Sequence, residues 1–141
     1  MAADEISTLR RILRDYRTIA VVGLSAEWHR PSYFAAKYMQ GKGYRIAPVN
    51  PRYDEILGER SYPSLADIPE PVDIVDVFRK PEDTPGIADE AVAIHAKALW
   101  LQSGISSEEA AARASAGGLI VVMDACLATL HTLLHVPARA R

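Results

Sequence analysis

The stretch TIAVVGLSAEWHRPSYFAAKYMQ, Thr18 to Gln40, sets an apolar, β-branched run directly before a glycine, a polar loop and a helical pattern. A run with almost no polar residue suits a strand covered on both faces, as strands of parallel sheets are. Pro31 stands where a helix can begin, at a first-turn position whose missing N–H costs little, and the helix is expected from about Ser32 to Gln40. The unit is strand, loop, helix, with the loop at the strand's carboxyl end.

The same unit recurs outward from this stretch. Upstream, Ile6, Leu9, Ile12, Leu13 and Tyr16 recur at helical spacing with Arg10, Arg11, Arg14 and Asp15 between them, which reads as an amphipathic first helix. Downstream, GKG at Gly41 to Gly43 ends the helix, and YRIAPVNP reads as a second strand stopping at Asn50-Pro51, because proline cannot donate to a central ladder. Arg52 to Pro71 is the longest connection, with SYPSLADIP able to form a short helix. VDIVDVF, Val72 to Phe78, is a third strand. PEDTPGIADEAVAIHAKA supplies a helix with an apolar stripe through Ile87, Ala91, Val92 or Ile94, and Ala98. ALWLQ is a fourth strand, followed by the loop SGIS. SSEEAAARASAGG is a helix opened by a Ser106–Glu109 capping pattern and closed by Gly117-Gly118. LIVVMD is a fifth strand, and Cys126 to His135 a last helix stopped before Pro137.

Strand and helix alternate with connections too long for hairpins, so the strands are parallel and the crossovers place helices on both faces. The expectation is one doubly wound, Rossmann-like α/β domain over residues 1–141, with a five-stranded parallel sheet in the order 3-2-1-4-5. Residues 1–17 form the first helix, 18–126 the core, and 127–141 the last helix and tail.

Composition bounds the function. A chain of 141 residues is the size of one domain. Hydrophobic residues make up 49% and charged ones 24%, too apolar for intrinsic disorder. A net charge of −2 gives no global field for a polyanion, so no nucleic-acid partner is expected. No apolar run approaches the roughly 20 residues that cross a bilayer, which sets membranes aside. The single cysteine, Cys126, closes no internal disulfide, and MAADEISTLRR lacks the apolar centre of a secretory signal, so a reducing, cytoplasmic setting is expected. The apolar faces of the terminal helices are compatible with a homodimer, although helices covering a sheet look alike whether water or a second chain lies outside.

In open α/β sheets ligands bind beyond the carboxyl ends of the strands, where the order reverses. Those ends carry Gly23 and Ser25, then Asn50, Pro51 and Arg52, then Phe78, Arg79 and Lys80, then Gln102, Ser103 and Gly104, then Asp124, Ala125 and Cys126. Helix N-termini and the guanidinium and ammonium groups of Arg30, Arg52, Arg79 and Lys80 favour a phosphate there. Two details argue against a nicotinamide dinucleotide. GLSAEW has one glycine where the fingerprint has three, and Asn50-Pro51 stands where a carboxylate would hold the ribose hydroxyls.

The ordered set AVVGLS, RPSY, GYRIAPVNP, ILGERSYPSLADIP, VDIVDVFR, LWLQSGI and GLIVVMDAC resembles the small stand-alone CoA-binding proteins of bacteria and archaea. These are similar to the nucleotide-binding N-terminal domain of the succinyl-CoA synthetase α subunit. The resemblance spans about Thr18 to Cys126 and implies binding of coenzyme A across the sheet's carboxyl edge. It implies that Gly23, Ser25, Arg30, Pro31 and Ser32 surround the phosphates. Asn50, Pro51, Phe78 and Arg79 would flank the nucleotide, and Gln102 and Gly104 would line the other side of the cleft. The chain departs from the family at Ala125, where a basic residue is often found, and in its apolar tail LATLHTLLH.

Each site residue also has a simpler reading. No G-x-S-x-G elbow surrounds Ser25, so hydrogen bonding or loop capping is expected of it rather than nucleophilic attack. Arg79 is either a phosphate clamp or a solvated helix-start residue, and Asn50 either a ligand contact or an Asx turn. Cys126 is expected to be an inert, buried thiol, His29 a solvated loop residue, and Trp28 an exposed aromatic, whereas Trp100 belongs to the core. No Cys or His cluster at ligand spacing suggests a metal. Three functions remain: non-catalytic CoA binding, an enzyme using NAD(P) or another nucleotide, and an interaction protein with a vestigial cleft. Ala125 and the apolar last helix speak for the third.

Overall fold

The computed structural model describes residues 3–139. Its first elements are helix α1 (Ala3–Asp15), strand β1 (Thr18–Val22), helix α2 (Pro31–Gly41) and strand β2 (Arg45–Val49). Two short strands follow, β3 (Glu55–Ile56) and β4 (Glu59–Arg60). The chain continues through β5 (Ile74–Val77), α3 (Thr84–Ala93), β6 (Ala98–Leu101), α4 (Glu108–Ala116), β7 (Ile120–Val122) and α5 (Leu127–Leu133). Ala98, expected to close the stripe of α3, instead opens β6 and is fully buried there.

The five parallel strands lie in the order β2-β1-β5-β6-β7. The parallel, helix-covered sheet is as expected, but its order differs in the place of one strand. Counting only the parallel strands it is 2-1-3-4-5, because β5 pairs with β1 in the register Ile19–Ile74 to Val22–Val77 and not outside β2. The outer side of β2 is already occupied. Tyr62 donates its N–H to the carbonyl of Pro48 and accepts from the N–H of Asn50, both at 2.9 Å. Pro48 itself has no donor to offer on that side, which an edge strand tolerates.

This order puts the point of reversal between β1 and β5. Helices α1, α2 and α5 cover one face, where Ile12, Leu13, Ala36, Met39 and Leu127 pack on Ile19, Val21, Ile46, Ile74 and Trp100. Helices α3 and α4 cover the other, where Ile87, Ala91, Ala110 and Ala114 pack on Ala20, Val75, Val77, Leu99 and Leu101. Side chains alternate along each strand, so the all-apolar runs feed both layers. The N-cap of α4 is Ser107, whose Oγ accepts the N–H of Ala110 at 3.1 Å, one residue later than the capping pattern suggests.

Candidate functional site

The site is assembled around Gly23. Its φ of +86° lies in the left-handed region, and a Cβ there would stand 2.5 Å from the carbonyl oxygen of Phe78 and 3.0 Å from Cδ of Arg79. Only glycine lets the turn after β1 lie against the turn after β5. The N–H of Gly23 donates to Val49 at 2.9 Å and that of Phe78 to Val22 at 2.9 Å, so one residue joins the ends of β1, β2 and β5.

Beyond Gly23 the loop is held open by its own polar atoms. Leu24 is fully buried and anchors it. The N–H of Ser25 donates to Oγ of Ser32 at 3.1 Å, fastening the loop to the first turn of α2. Oγ of Ser25 accepts the N–H of Glu27 at 3.0 Å. Across from it, Nδ2 of Asn50 donates to the carbonyl of Leu24 at 3.0 Å, while its Oδ1 accepts the N–H of Arg52 at 3.0 Å. Asn50 therefore makes the Asx turn and also braces the opposite loop.

Between these braces lies a cleft of about 290 Å³, lined by Gly23, Ser25, Glu27, Arg30, Pro31, Ser32, Asn50, Arg52, Tyr53 and Phe78. Its size is near the lower end of small-molecule sites. The first turn of α2 faces it, with Pro31 at the first helical position, so the positive end of the helix is directed at the opening. Arg30 is exposed, and its Nε donates to Oε2 of Glu27 at 2.9 Å; that bond holds the Glu27 carboxyl below its ordinary range. Glu27 and Tyr53 are lining residues the sequence did not single out. Glu27 lies within the polar loop, and Tyr53 is carried in by the Asx turn at Asn50.

Two expected residues sit around the corner. Pro51 and Arg79 line a second cleft of about 330 Å³ on the α3 side, which shares Gly23 and Asn50 as a common wall. Arg79 is half exposed, with its Nη2 3.4 Å from Oδ2 of Asp83. Past Phe78 an open depression of about 880 Å³ runs along Arg79 and Lys80 to Ile105.

Gln102 and Gly104 line neither cleft, contrary to expectation. Gln102 is buried and donates Nε2 to the Asp76 carboxylate. Gly104 donates its N–H to Oδ1 of Asp124 at 2.7 Å. The cleft lies at the ends of β2, β1 and β5, whereas both residues follow β6, one strand further along. Asp76 is the acid the sequence reading passed over: fully enclosed, it is pushed up to about 7 by burial, against which the Gln102 hydrogen bond works in the opposite direction. Cys126 is partly buried at the cap of α5, and Trp100 is fully buried, with its Nε1 donating to Ala125 at 2.8 Å. Trp28 is 71% exposed. Among the described residues no group of three or more His, Cys, Asp or Glu is placed to hold a metal, and no helix is long and apolar enough to cross a membrane.

Residues 17–132 match a family model described as a CoA binding domain. The chain is 42% identical over 125 residues to the uncharacterized protein YneT of Bacillus subtilis (strain 168), spanning 89% of this chain and 93% of that one. It is 32% identical over 95 residues to an ADP-forming acetate–CoA ligase II of Archaeoglobus fulgidus, covering 65% of this chain but 14% of the ligase. Among solved structures it is similar to a hypothetical protein from Pyrococcus horikoshii OT3, with a TM-score of 0.90, 38% identity and 92% of each chain covered.

Proposed function

The chain belongs to the CoA-binding domain family, and from that premise we propose that it binds coenzyme A or an acyl-CoA without transforming it, the nucleotide end lying in the cleft at Gly23. The observation that carries this reading is the convergence of three strand ends on that glycine. It opens a hole between Ser32 and Phe78 at the point where the strand order reverses. Arg30, Arg52 and the start of α2 supply positive charge and N–H dipoles around it. Phe78 borders both the cleft and the open depression, so an elongated ligand has a path across the crest toward Ile105.

A binding role is supported by how the hydroxyls are engaged. Oγ of Ser25 and Oγ of Ser32 each accept a backbone N–H, and neither is bonded to a histidine or a carboxylate that would draw off a proton. Calorimetric titration with CoA, dephospho-CoA, NAD and ATP tests the proposal. CoA should bind, and more tightly than dephospho-CoA. Binding of NAD alone would favour a dehydrogenase-type enzyme, and silence with every nucleotide a vestigial cleft. Arg30→Ala should weaken CoA at least tenfold, about 1.4 kcal/mol. Arg79→Ala should weaken it less, since that guanidinium faces the α3 side beside Asp83. The reverse ranking would move the phosphates to the second cleft.

A further inference from the structure

The sheet has two edges, and the chain finishes them differently. On β2 the outer side is closed by Tyr62 and Pro48, and Arg45 is tied to Glu59 and to Glu70 at 2.7 Å each. None of these devices protects β7. Ile120, Val121, Val122 and the following Met123 are apolar and partly exposed, and among the described residues β7 has a strand neighbour on one side only. The N–H of Ile120 donates inward to Lys97 at 3.0 Å, so by strand alternation the N–H and C=O of Val121 face outward. An apolar edge without proline, charge or bulge is the kind that pairs with another strand.

Beside this edge runs a groove of about 430 Å³ between β7 and α1. Leu9, Val122, Met123 and Ala125 provide its apolar surface, and Asp4, Glu5 and Asp124 its acidic rim. Further along α1, Arg10, Arg11 and Arg14 border a hollow of about 370 Å³. The helix is thus acidic at its start and basic toward its end.

We infer that this face binds a second copy of the chain, the two β7 strands pairing antiparallel about a two-fold axis through Val121. The residues present meet each demand of that symmetry. An antiparallel pair centred on an outward-facing residue is the type in which opposite residues exchange both N–H···O bonds. Helix α1 runs antiparallel to the strands, because its start lies beside Asp124 and Ala125 and its end leads into β1. The same axis therefore sets α1 antiparallel to its copy and brings Asp4 and Glu5 of each toward Arg11 and Arg14 of the other. A two-fold makes that contact twice. An unrelated strand would use the edge but would gain nothing from the segregated charges of α1, which is why a second copy is favoured.

Sedimentation equilibrium of the full chain tests the inference. The wild type should sediment as a dimer. Val121→Pro removes one outward donor at an edge position, where proline is tolerated, and should give a monomer with an unchanged circular dichroism spectrum. Glu5→Arg, on the exposed side of α1, should weaken the dimer at least tenfold, and adding Arg11→Glu to the same chain should recover most of that loss. A wild type still monomeric at about 1 mM, where even a millimolar dissociation constant would show, overturns the inference. So does a dimer that survives both Val121→Pro and Glu5→Arg.

Discussion

The crest of the sheet has two halves that begin from similar sequence and end differently. At β1, β2 and β5, polar side chains bond to backbone across a gap: Ser32 to Ser25 and Asn50 to Leu24. At β6 and β7, they bond to what lies directly beneath or beside them: Gln102 to Asp76, Asp124 to Gly104, Trp100 to Ala125. The first set props loops apart and leaves a cleft, whereas the second draws the crest closed. A polar residue after a strand thus marks a ligand site only where its hydrogen bonds span a hole. Gly23 decides which half that is, because its contact with Phe78 determines how closely the loops after β1 and β5 approach.

The sharpest way to break this contrast is Gly23→Val. The new Cβ would have to displace backbone at 2.5 Å while holding a φ of +86° that a β-branched residue avoids. A loss of about 4 kcal/mol in unfolding free energy is expected, at the severe end for a single substitution. In protein that still folds, CoA binding should be undetectable by calorimetry. Near-normal affinity in a folded Gly23→Val chain would show that the cleft does not depend on this contact.

How much of this was legible in the sequence follows the same division. TIAVVG and RPS gave the strand, the loop and the start of α2 because each rests on local chemistry: β-branched burial and proline at a first turn. The strand order was not legible, since what excludes a strand from the outside of β2 is Tyr62 pairing there, a contact between residues far apart in sequence. The β3–β4 hairpin was missed for a different reason. Its turn places Leu57 at φ 56° and Gly58 at φ 75°, a conformation normally announced by Asn-Gly rather than Leu-Gly. Gln102 follows a strand end, where a polar side chain is expected to face a ligand, and what turns it inward is Asp76, a partner on another strand that no local pattern announces.

The second prediction uses that partner. Burial raises the carboxyl of Asp76 from 3.8 to about 7, so the folded state holds a proton that the unfolded chain releases. The stability of the neutral acid is fully present below about pH 4 and is lost as pH rises to about 7, above which the loss is constant. Its size is on the order of 4 kcal/mol. Asp76→Asn should therefore be more stable than wild type at pH 8, and the gap should shrink steadily in urea titrations down to pH 4. A gap independent of pH would mean that Asp76 is ionised in the fold. CoA affinity should be unchanged at pH 8, since Asp76 belongs to the closed half of the crest.

A smaller effect is expected from Ser32→Ala. It removes the acceptor for the N–H of Ser25 and should cost about 1 kcal/mol of stability. Because that bond shapes the cleft wall, CoA affinity should fall by about the same free energy, roughly fivefold. A stability loss without an affinity loss would place the ligand away from this wall.

The smallest effect is the most discriminating, because it holds backbone conformation constant and changes only the surroundings. Gly104 has a φ of +82°, close to that of Gly23, yet a Cβ there would meet nothing within 4 Å. Gly104→Ala should therefore cost only the left-handed conformation itself, about 1 kcal/mol, and leave CoA affinity untouched. The N–H that Gly104 donates to Asp124 survives the substitution, so the loop after β6 keeps its fastening. A marked fall in CoA affinity would instead place ligand against the loop at Gly104, where added volume matters only if something bound occupies the space, and the two halves of the crest would then form one site.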